Sequence, residues 1–215
     1  MDTKTREAAF YTLSGLYMMN GEAGRALDAL EKLPQPDYDT RMLKASILTQ
    51  AGRAEEAEKL HQICLWGYVR DAGLCLYGLS GAARKRGDAE RALALLDAAC
   101  RLDALFHGES TPGMHGNYEL ARAELLARTG KTQAALDAVE AFAESSVTGC
   151  RVQEYSPLFF DRLSPSGDMD VSEDFLLKNA LFILESSESL RTLEHEPRYA
   201  ALLERLKKAA GHKTN

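Results

Sequence analysis

Histidine and cysteine side chains are the residues of this sequence best suited to metal binding or nucleophilic chemistry. His61 and Cys64 are three positions apart on a predicted helix, so they share a face and could donate two ligands to zinc. No second ligand pair lies nearby, which favours the alternative of a core thiol beside a half-exposed histidine. His107 and His115 flank a glycine-rich loop at 107–116, and no carboxylate partner can be assigned to either. The sequence therefore predicts no metal site.

Other catalytic signatures are also missing from the sequence. The glycines between Gly73 and Gly81 are not followed by Lys-Ser or Lys-Thr, so they do not form a phosphate-binding loop. Acidic pairs such as Glu55-Glu56 fall on the solvated faces of predicted helices. No serine, threonine or cysteine stands in a recognisable relation to a general base. We therefore expect a non-catalytic protein that carries no cofactor.

The charge balance argues against nucleic acid as a direct partner. The chain has 215 residues, with 26 lysines and arginines against 32 acidic residues, which gives a formal net charge of −6. Nucleic-acid binding requires a basic cluster, and the sequence has none. The four cysteines are scattered without a C-x-x-C pair, which is typical of reduced cytosolic thiols. With no signal peptide and no apolar run of membrane-spanning length, we expect a cytoplasmic protein without membrane contact.

A repeated glycine and alanine pattern is the strongest structural signal in the sequence. Each of four glycines precedes an alanine by five positions, and each follows a small residue by seven. The glycines are Gly21, Gly52, Gly87 and Gly130, and the small residues are Ser14, Ala45, Ser80 and Ala123. Glycine fits the left-handed position after a helix end, and small residues allow two antiparallel helices to cross closely. The second and fourth repeats are degenerate, with Lys44 and Arg122 where an apolar residue is expected.

The pattern predicts four antiparallel helix pairs over residues 1–145. The predicted pairs are 3–20 with 24–33, 39–51 with 54–65, 70–86 with 89–106, and 117–129 with 132–145. Trp66-Gly67-Tyr68 is expected to break the chain between the second and third pairs. Residues 146–215 are expected to form an ordered loop and two C-terminal helices that pack on the array within the same domain. The aromatic stretch Tyr155 to Phe160 is expected to pack its rings onto the helices, and Pro197 to start the last helix.

The steps between the glycines are 31, 35 and 43 residues, and the insertion at 106–116 accounts for the longest step. A helix-turn-helix period near 34 residues resembles that of tetratricopeptide (TPR) arrays, over residues 3–145. This resemblance implies an all-α fold, a TPR-like right-handed superhelix of antiparallel helix pairs with a C-terminal capping helix region. The alternative is a generic helical bundle that happens to have glycine-containing turns.

Three further stretches narrow the resemblance. Lys32-Leu33-Pro34, Tyr155 to Phe160 and Pro197 to Leu206 are similar to the regulatory half of bacterial Xre-type helix-turn-helix transcriptional regulators. Those regulators carry a DNA-binding domain ahead of the TPR array, and no such domain is present in this sequence. The resemblance therefore implies either an isolated regulatory domain, with a ligand-sensing role, or a stand-alone TPR scaffold for protein–protein interactions.

The TPR resemblance also implies where a ligand would bind. In TPR arrays the first helix of each pair lines a concave groove that holds a peptide or a protein segment. If the same helix faces line the groove in this chain, the resemblance implies these groove residues: Tyr11, Met18, Met42, Ser46, Tyr77, Arg84, Lys85, Asn117, Glu124 and Arg128. Methionines adapt to varied apolar shapes, and Arg84, Lys85 and Arg128 are suited to a carboxylate. The alternative is that these residues form an ordinary solvated face and bind no ligand. A homodimer through the apolar stripe at Tyr199 to Leu206 is also possible, although that stripe could instead cap the array.

Overall fold

Every regular element in the part of the chain that the structure describes is helical. The structure, a computed structural model, describes residues 3–33, 39–107, 115–148, 156–163 and 173–211. The helices are α1 (Thr3–Met19), α2 (Ala23–Glu31), α3 (Arg41–Gln50), α4 (Ala54–Lys85), α5 (Ala89–His107), α6 (His115–Arg128), α7 (Thr132–Thr148), α8 (Pro157–Phe160), α9 (Glu173–Ser186) and α10 (Pro197–Gly211), with a 3₁₀ helix at Leu190–Leu193. The predicted all-α class is confirmed, and Pro197 begins the last helix as expected.

Four turns between helices share one backbone geometry. Gly21, Gly52, Gly87 and Gly130 have φ angles of 77°, 74°, 79° and 73°. In each turn the glycine N–H donates to the carbonyl three residues earlier, and the following N–H donates to the carbonyl five residues earlier. This is the Schellman arrangement that closes a helix end. Any side chain in the left-handed region costs about 1–2 kcal/mol, so the glycine is required and the prediction made for these positions is confirmed.

Small buried residues flank each of these turns. Ser14, Ala45, Ser80 and Ala123 precede the turn glycines, and Ala26, Ala57, Ala92 and Ala135 follow them; all are buried. The absence of bulk at both places allows the two helices of a pair to approach each other closely. The hydroxyls of Ser14 and Ser80 donate to the carbonyls of Tyr11 and Tyr77, at 2.9 and 2.7 Å, so neither buried hydroxyl is left without a partner.

Helix α4 is one continuous helix where the sequence predicted two. We expected helices at 54–65 and 70–86 with a break at residues 66–68, and the structure shows this to be wrong. No proline interrupts the segment, and a single glycine such as Gly67 costs only about 1 kcal/mol inside a helix. A turn between consecutive pairs belongs to the TPR pattern, so α4 departs from that pattern.

The chain divides into two compact units, Met1–Tyr68 and Val69–Asn215. In the first unit α1, α2 and α3 enclose a small core of buried residues: Ala26, Leu30, Leu33 and Ile47. Arg41 and Tyr68 both bind the Asp39 carboxylate, Arg41 through Nε and Nη2 at 2.8 and 2.9 Å and Tyr68 through its hydroxyl at 2.7 Å. These contacts hold the pKa of Asp39 well below its usual value.

The second unit contains the largest core of the described chain. Helices α6 and α7 pack together, and the C-terminal elements cover them with Leu177, Leu184, Leu190, Leu193, Tyr199, Leu202 and Leu206, all buried. The Tyr199 hydroxyl donates to the Leu184 carbonyl at 2.8 Å, which links α10 to α9. Arg198 forms ion pairs with Asp137 and Glu140 of α7 at 2.9 and 2.8 Å. The apolar stripe of α10 is therefore buried within its own unit.

The aromatic stretch after residue 155 packs as predicted where it is described. The Phe159 and Phe160 rings lie 4.9 and 6.4 Å from the Phe106 ring of α5, centroid to centroid, and Phe160 is buried. Part of this stretch forms the short helix α8, and Leu158 at its surface is 81% exposed. Tyr155 lies outside the described residues.

In three of the four repeats, the residue eight positions before the turn glycine is exposed, although the sequence assigned this position to the packed face; in the fourth repeat this residue is Arg122, which is half-buried. Leu13 and Leu79 lie eight residues before a turn glycine, and they are 38% and 50% exposed. Lys44 occupies the same place in the second repeat and is exposed too. Because successive residues are about 100° apart around a helix, a residue next to the small buried site points away from the partner helix.

None of the described helices combines the length and the apolar composition that a membrane crossing requires.

Candidate functional site

A small cavity lies between α4, α5 and α6 in the second unit. Its volume is about 60 Å³. The lining residues are Tyr77, Ser80, Gly81 and Arg84 of α4, Ala92 and Leu96 of α5, and Ala121 and Leu125 of α6. Two of them, Tyr77 and Arg84, were assigned to the groove from the TPR resemblance. The cavity therefore collects predicted residues from the third repeat on an apolar floor provided by α5 and α6.

Helical periodicity explains why these side chains meet. Tyr77, Gly81 and Arg84 are spaced by four and three residues, which places them on one face of α4. A Cβ at Gly81 would have no atom within 4 Å, so this glycine leaves space and does not serve close packing. Gly73, earlier in α4, is different: a Cβ there would collide with the Tyr118 hydroxyl of α6. Tyr118 thus rests against the α4 backbone, and its ring lies 5.9 Å from the Tyr77 ring.

A chain of polar contacts crosses one side of this cavity. Arg84 Nη1 lies 3.7 Å from Glu124 Oε2 of α6, and the two side chains are 41% and 28% exposed. Ser187, just after α9, donates a hydrogen bond from its hydroxyl to Glu124 Oε1 at 2.9 Å. The Arg84–Glu124 distance is about 0.9 Å longer than a direct charge-assisted hydrogen bond of roughly 2.8 Å. The structure therefore brings Arg84 and Glu124 together as a loose pair.

The other predicted groove residues of the second unit lie along the same helices. Arg128 is one turn beyond Glu124 on the same face of α6, and Lys85 follows Arg84 in the last turn of α4; both are exposed. Within the described part of the chain, neither Lys85 nor Arg128 forms an ion pair. Asn117 is exposed near the start of α6. Two of the predicted cations are thus accessible to solvent, and the third is partly neutralised by Glu124.

The predicted groove residues of the first unit are less uniform. Tyr11 and Met42 are 40% and 43% exposed. Ser46 is exposed as well, and its hydroxyl donates to the Met42 carbonyl at 3.1 Å. Met18 is half-buried and packs against the core that contains Leu30, so most of it serves the fold.

The opposite face of α6 carries a polar cluster that the sequence did not reveal. His115 Nδ1 lies 3.3 Å from Asp103 Oδ2 of α5, and His115 Nε2 lies 3.9 Å from Glu119 Oε1. Arg122 contacts Glu119 through Nη1 at 2.6 Å and Asp97 through Nε at 2.7 Å. The Asp103 and Glu119 side chains are only 11% and 7% exposed. Charged groups so deep in a helix interface need each other, because an unpaired buried charge is costly.

The cluster changes the acid–base behaviour of its members. Contact with Asp103 raises the pKa of His115 above its usual value, against the effect of burial, and Glu119 adds to this rise. Burial, followed by the nearby Glu119 carboxylate, raises the pKa of the Cys100 thiol far above its usual value. Cys100 therefore stays protonated near neutral pH, which makes it a poor nucleophile. The cluster favours a protonated histidine between two carboxylates.

Only part of this cluster left a signal in the sequence. His115 and Glu119 are four residues apart, but the sequence predicted a loop through residue 116 and a helix only from residue 117; α6 in fact begins at His115, which places the two side chains on one helix face. Asp103 belongs to α5 and reaches His115 only because α5 packs on α6. This is the carboxylate partner that sequence reasoning did not find. The side chain of His107 lies outside the described residues.

His61 and Cys64, considered above as zinc ligands, have the burial expected of a core thiol beside an exposed histidine. Cys64 is buried and His61 is exposed, so their side chains do not share one environment. Burial raises the pKa of the Cys64 thiol. In the described ranges no three His, Cys, Asp or Glu side chains are grouped so that they could hold a metal ion.

Comparisons with known proteins add no family to this geometry. No protein-family model matches the chain, and no curated protein sequence matches it. Several apolar residues that carried the narrower resemblance are core residues, since Leu33, Phe160, Tyr199 and Leu202 are all buried. Such residues reflect how the helices pack, and they do not identify a ligand. The exposed side chains around Arg84 are therefore the candidates for a ligand-binding role.

Proposed function

We propose that this chain is a non-catalytic helical-repeat module that binds an extended peptide or a protein segment. In this proposal the helix pairs stack as a TPR-like right-handed superhelix. The binding wall is formed by α6 and by the part of α4 that contains Tyr77 and Arg84. The main support is that Tyr77 and Arg84 line a cavity between α4, α5 and α6, and that Arg84 faces Glu124 of α6 at 3.7 Å.

The size of the cavity favours a peptide over a small molecule. Small-molecule sites usually enclose about 300–1,000 Å³, whereas this cavity measures about 60 Å³. A volume of this size accommodates one small apolar side chain beside Tyr77, while the rest of the ligand lies on the surface. Arg84 and Arg128 then supply charge-assisted hydrogen bonds to a carboxylate of the ligand, either a C-terminus or an acidic side chain.

A synthetic peptide array with free C-terminal carboxylates tests this proposal. Peptides that bind the wild-type chain are measured again in solution by fluorescence anisotropy, against the double variant Arg84→Ala with Arg128→Ala. We expect binding to weaken at least tenfold, since a hydrogen bond to a charged group contributes about 1.5–3 kcal/mol. The matched control is Arg91→Ala, because Arg91 is an exposed arginine of α5 outside the cavity lining. Unchanged affinity in the double variant, or an array without any binder, would reject the proposal.

The resemblance to Xre-type regulators extends the proposal to a biological role. In this role peptide capture is the sensing step of a bacterial transcriptional regulator, and this part of the protein does not contact DNA. The alternative is a stand-alone TPR scaffold that joins partner proteins. A reading frame that encodes a helix-turn-helix domain directly upstream, in the same gene, would support the regulator. A gene that begins at Met1 would favour the scaffold.

A further inference from the structure

We infer that Glu124 is an internal carboxylate that occupies Arg84 in the free protein and is replaced there by the carboxylate of the bound peptide. This inference rests on the proposed peptide-binding function and assigns a regulatory role within the same site. In this inference Glu124 competes with the ligand for Arg84, whereas the TPR resemblance had assigned Glu124 to the residues that bind the ligand.

The geometry of the two Glu124 oxygens supports this role. Oε2 faces Arg84 at 3.7 Å, while Oε1 accepts the hydrogen bond from the Ser187 hydroxyl at 2.9 Å. Glu124 is thus bound closely on the Ser187 side and loosely on the Arg84 side. At 3.7 Å the Glu124 carboxylate attracts the Arg84 guanidinium, and the N–H groups of the guanidinium remain available to a second carboxylate.

Ser187 is well placed to hold Glu124 because its own segment is anchored. Its N–H donates to the Ile183 carbonyl at the end of α9, at 3.1 Å. The 3₁₀ helix that follows contacts α6 and buries Leu190 and Leu193 almost completely. The hydroxyl of Ser187 is therefore held beside α6 by an anchored segment, whereas the Arg84 side chain is 41% exposed.

The exposed position of the pair makes it exchangeable. Ion pairs between partly exposed side chains are weak, because water competes for both charges. A ligand carboxylate can bind Arg84 at direct hydrogen-bonding distance and can also approach Arg128, which lies one turn further along α6. Glu124 opposes this approach twice, through its attraction for Arg84 and through its repulsion of a second negative charge.

The variant Glu124→Gln tests the inference. Glutamine keeps a side-chain oxygen for the Ser187 hydroxyl but loses the negative charge. With a peptide from the array that carries a free C-terminal carboxylate, we expect about fivefold tighter binding to Glu124→Gln than to the wild type, the effect of removing an exposed pair of this kind. The same peptide with a C-terminal amide should bind both proteins equally. Glu90→Gln is the control for net charge, since Glu90 is an exposed residue of α5.

The outcomes separate this inference from the function on which it rests. If the array peptide needs Arg84 and Arg128 but binds Glu124→Gln no better than the wild type, peptide binding stands and the inference is overturned. Equal tightening for the amide peptide, or with Glu90→Gln, overturns it as well. If no peptide binds the wild type, both the function and the inference fall. Circular dichroism spectra and urea unfolding of each variant confirm that the compared proteins are folded.

Discussion

The two opposite faces of α6 hold charged residues in contrasting ways. On one face His115 and Arg122 pair with Glu119 of the same helix, which is only 7% exposed, and His115 also lies 3.3 Å from Asp103 of α5; the shortest of these contacts, Arg122 to Glu119, is 2.6 Å. On the other face Glu124 meets Arg84 at 3.7 Å, with both side chains partly in water. The same helix thus carries a tight, shielded cluster and a loose, accessible pair.

This difference indicates which charges serve the fold and which are free for binding. A buried charged group that loses its partner is strongly destabilising, so the α5–α6 cluster constrains how the two helices pack. A partly exposed pair contributes little to stability, so its members can exchange partners without cost to the fold. Proximity of opposite charges alone does not separate the two cases, because burial decides between them.

The largest expected effect is the loss of Glu119 from the buried face. Glu119→Ala removes the carboxylate that contacts Arg122 and His115, and leaves Arg122 facing an interface with less negative charge. We expect a loss of about 2–3 kcal/mol in the free energy of unfolding, measured by urea denaturation. Glu124→Ala is the matched variant on the exposed face of the same helix. Equal losses in the two variants would contradict the contrast between the faces.

A smaller effect is expected from the pH dependence of His115. Because the pKa of His115 is raised in the folded chain, its stabilising contribution is complete below the unfolded value near 6.5 and is lost as the pH rises through the folded value. The stability advantage of the wild type over His115→Gln should therefore fall as the pH rises above about 6.5, as followed by urea denaturation at each pH. His195→Gln, at an exposed site near α10, provides the comparison. A difference that grows with pH would show that the sign is wrong.

The smallest expected effect is that of Arg84 on stability. Arg84→Ala should change the free energy of unfolding by no more than about 0.5 kcal/mol, since the pair with Glu124 is long and partly exposed. The same variant is expected to weaken peptide binding in the anisotropy assay. A destabilisation similar to that of Glu119→Ala would instead assign Arg84 to the fold and would remove the contrast between the two faces.

Local signals in the sequence predicted much of the helical arrangement. The glycine at each of the four turns and the small residues around it were read correctly, because φ near 75° and a close helix crossing each restrict the residue type. The break expected near Gly67 was wrong. A single glycine is a weak signal, since the surrounding helix outweighs its cost of about 1 kcal/mol.

The candidate site was predictable in part for the same reason. Helical spacing placed Tyr77 and Arg84 on one face of α4, and they do lie beside one cavity. The spacing gave no information on the distance between Arg84 and Glu124, or on the hydrogen bond from Ser187, which lies 63 residues further along the chain. It also gave no partner for His115, because Asp103 belongs to a different helix.

The sequence by itself determined the four glycine turns and which residues share a helix face, since both depend on interactions between residues a few positions apart. Only the tertiary structure decided which charges are buried and which are accessible, because burial depends on helices that are distant in the sequence. His115 and Arg84 illustrate the difference: each is a basic side chain near a carboxylate, and the packing of α5 on α6 shields only the first from water.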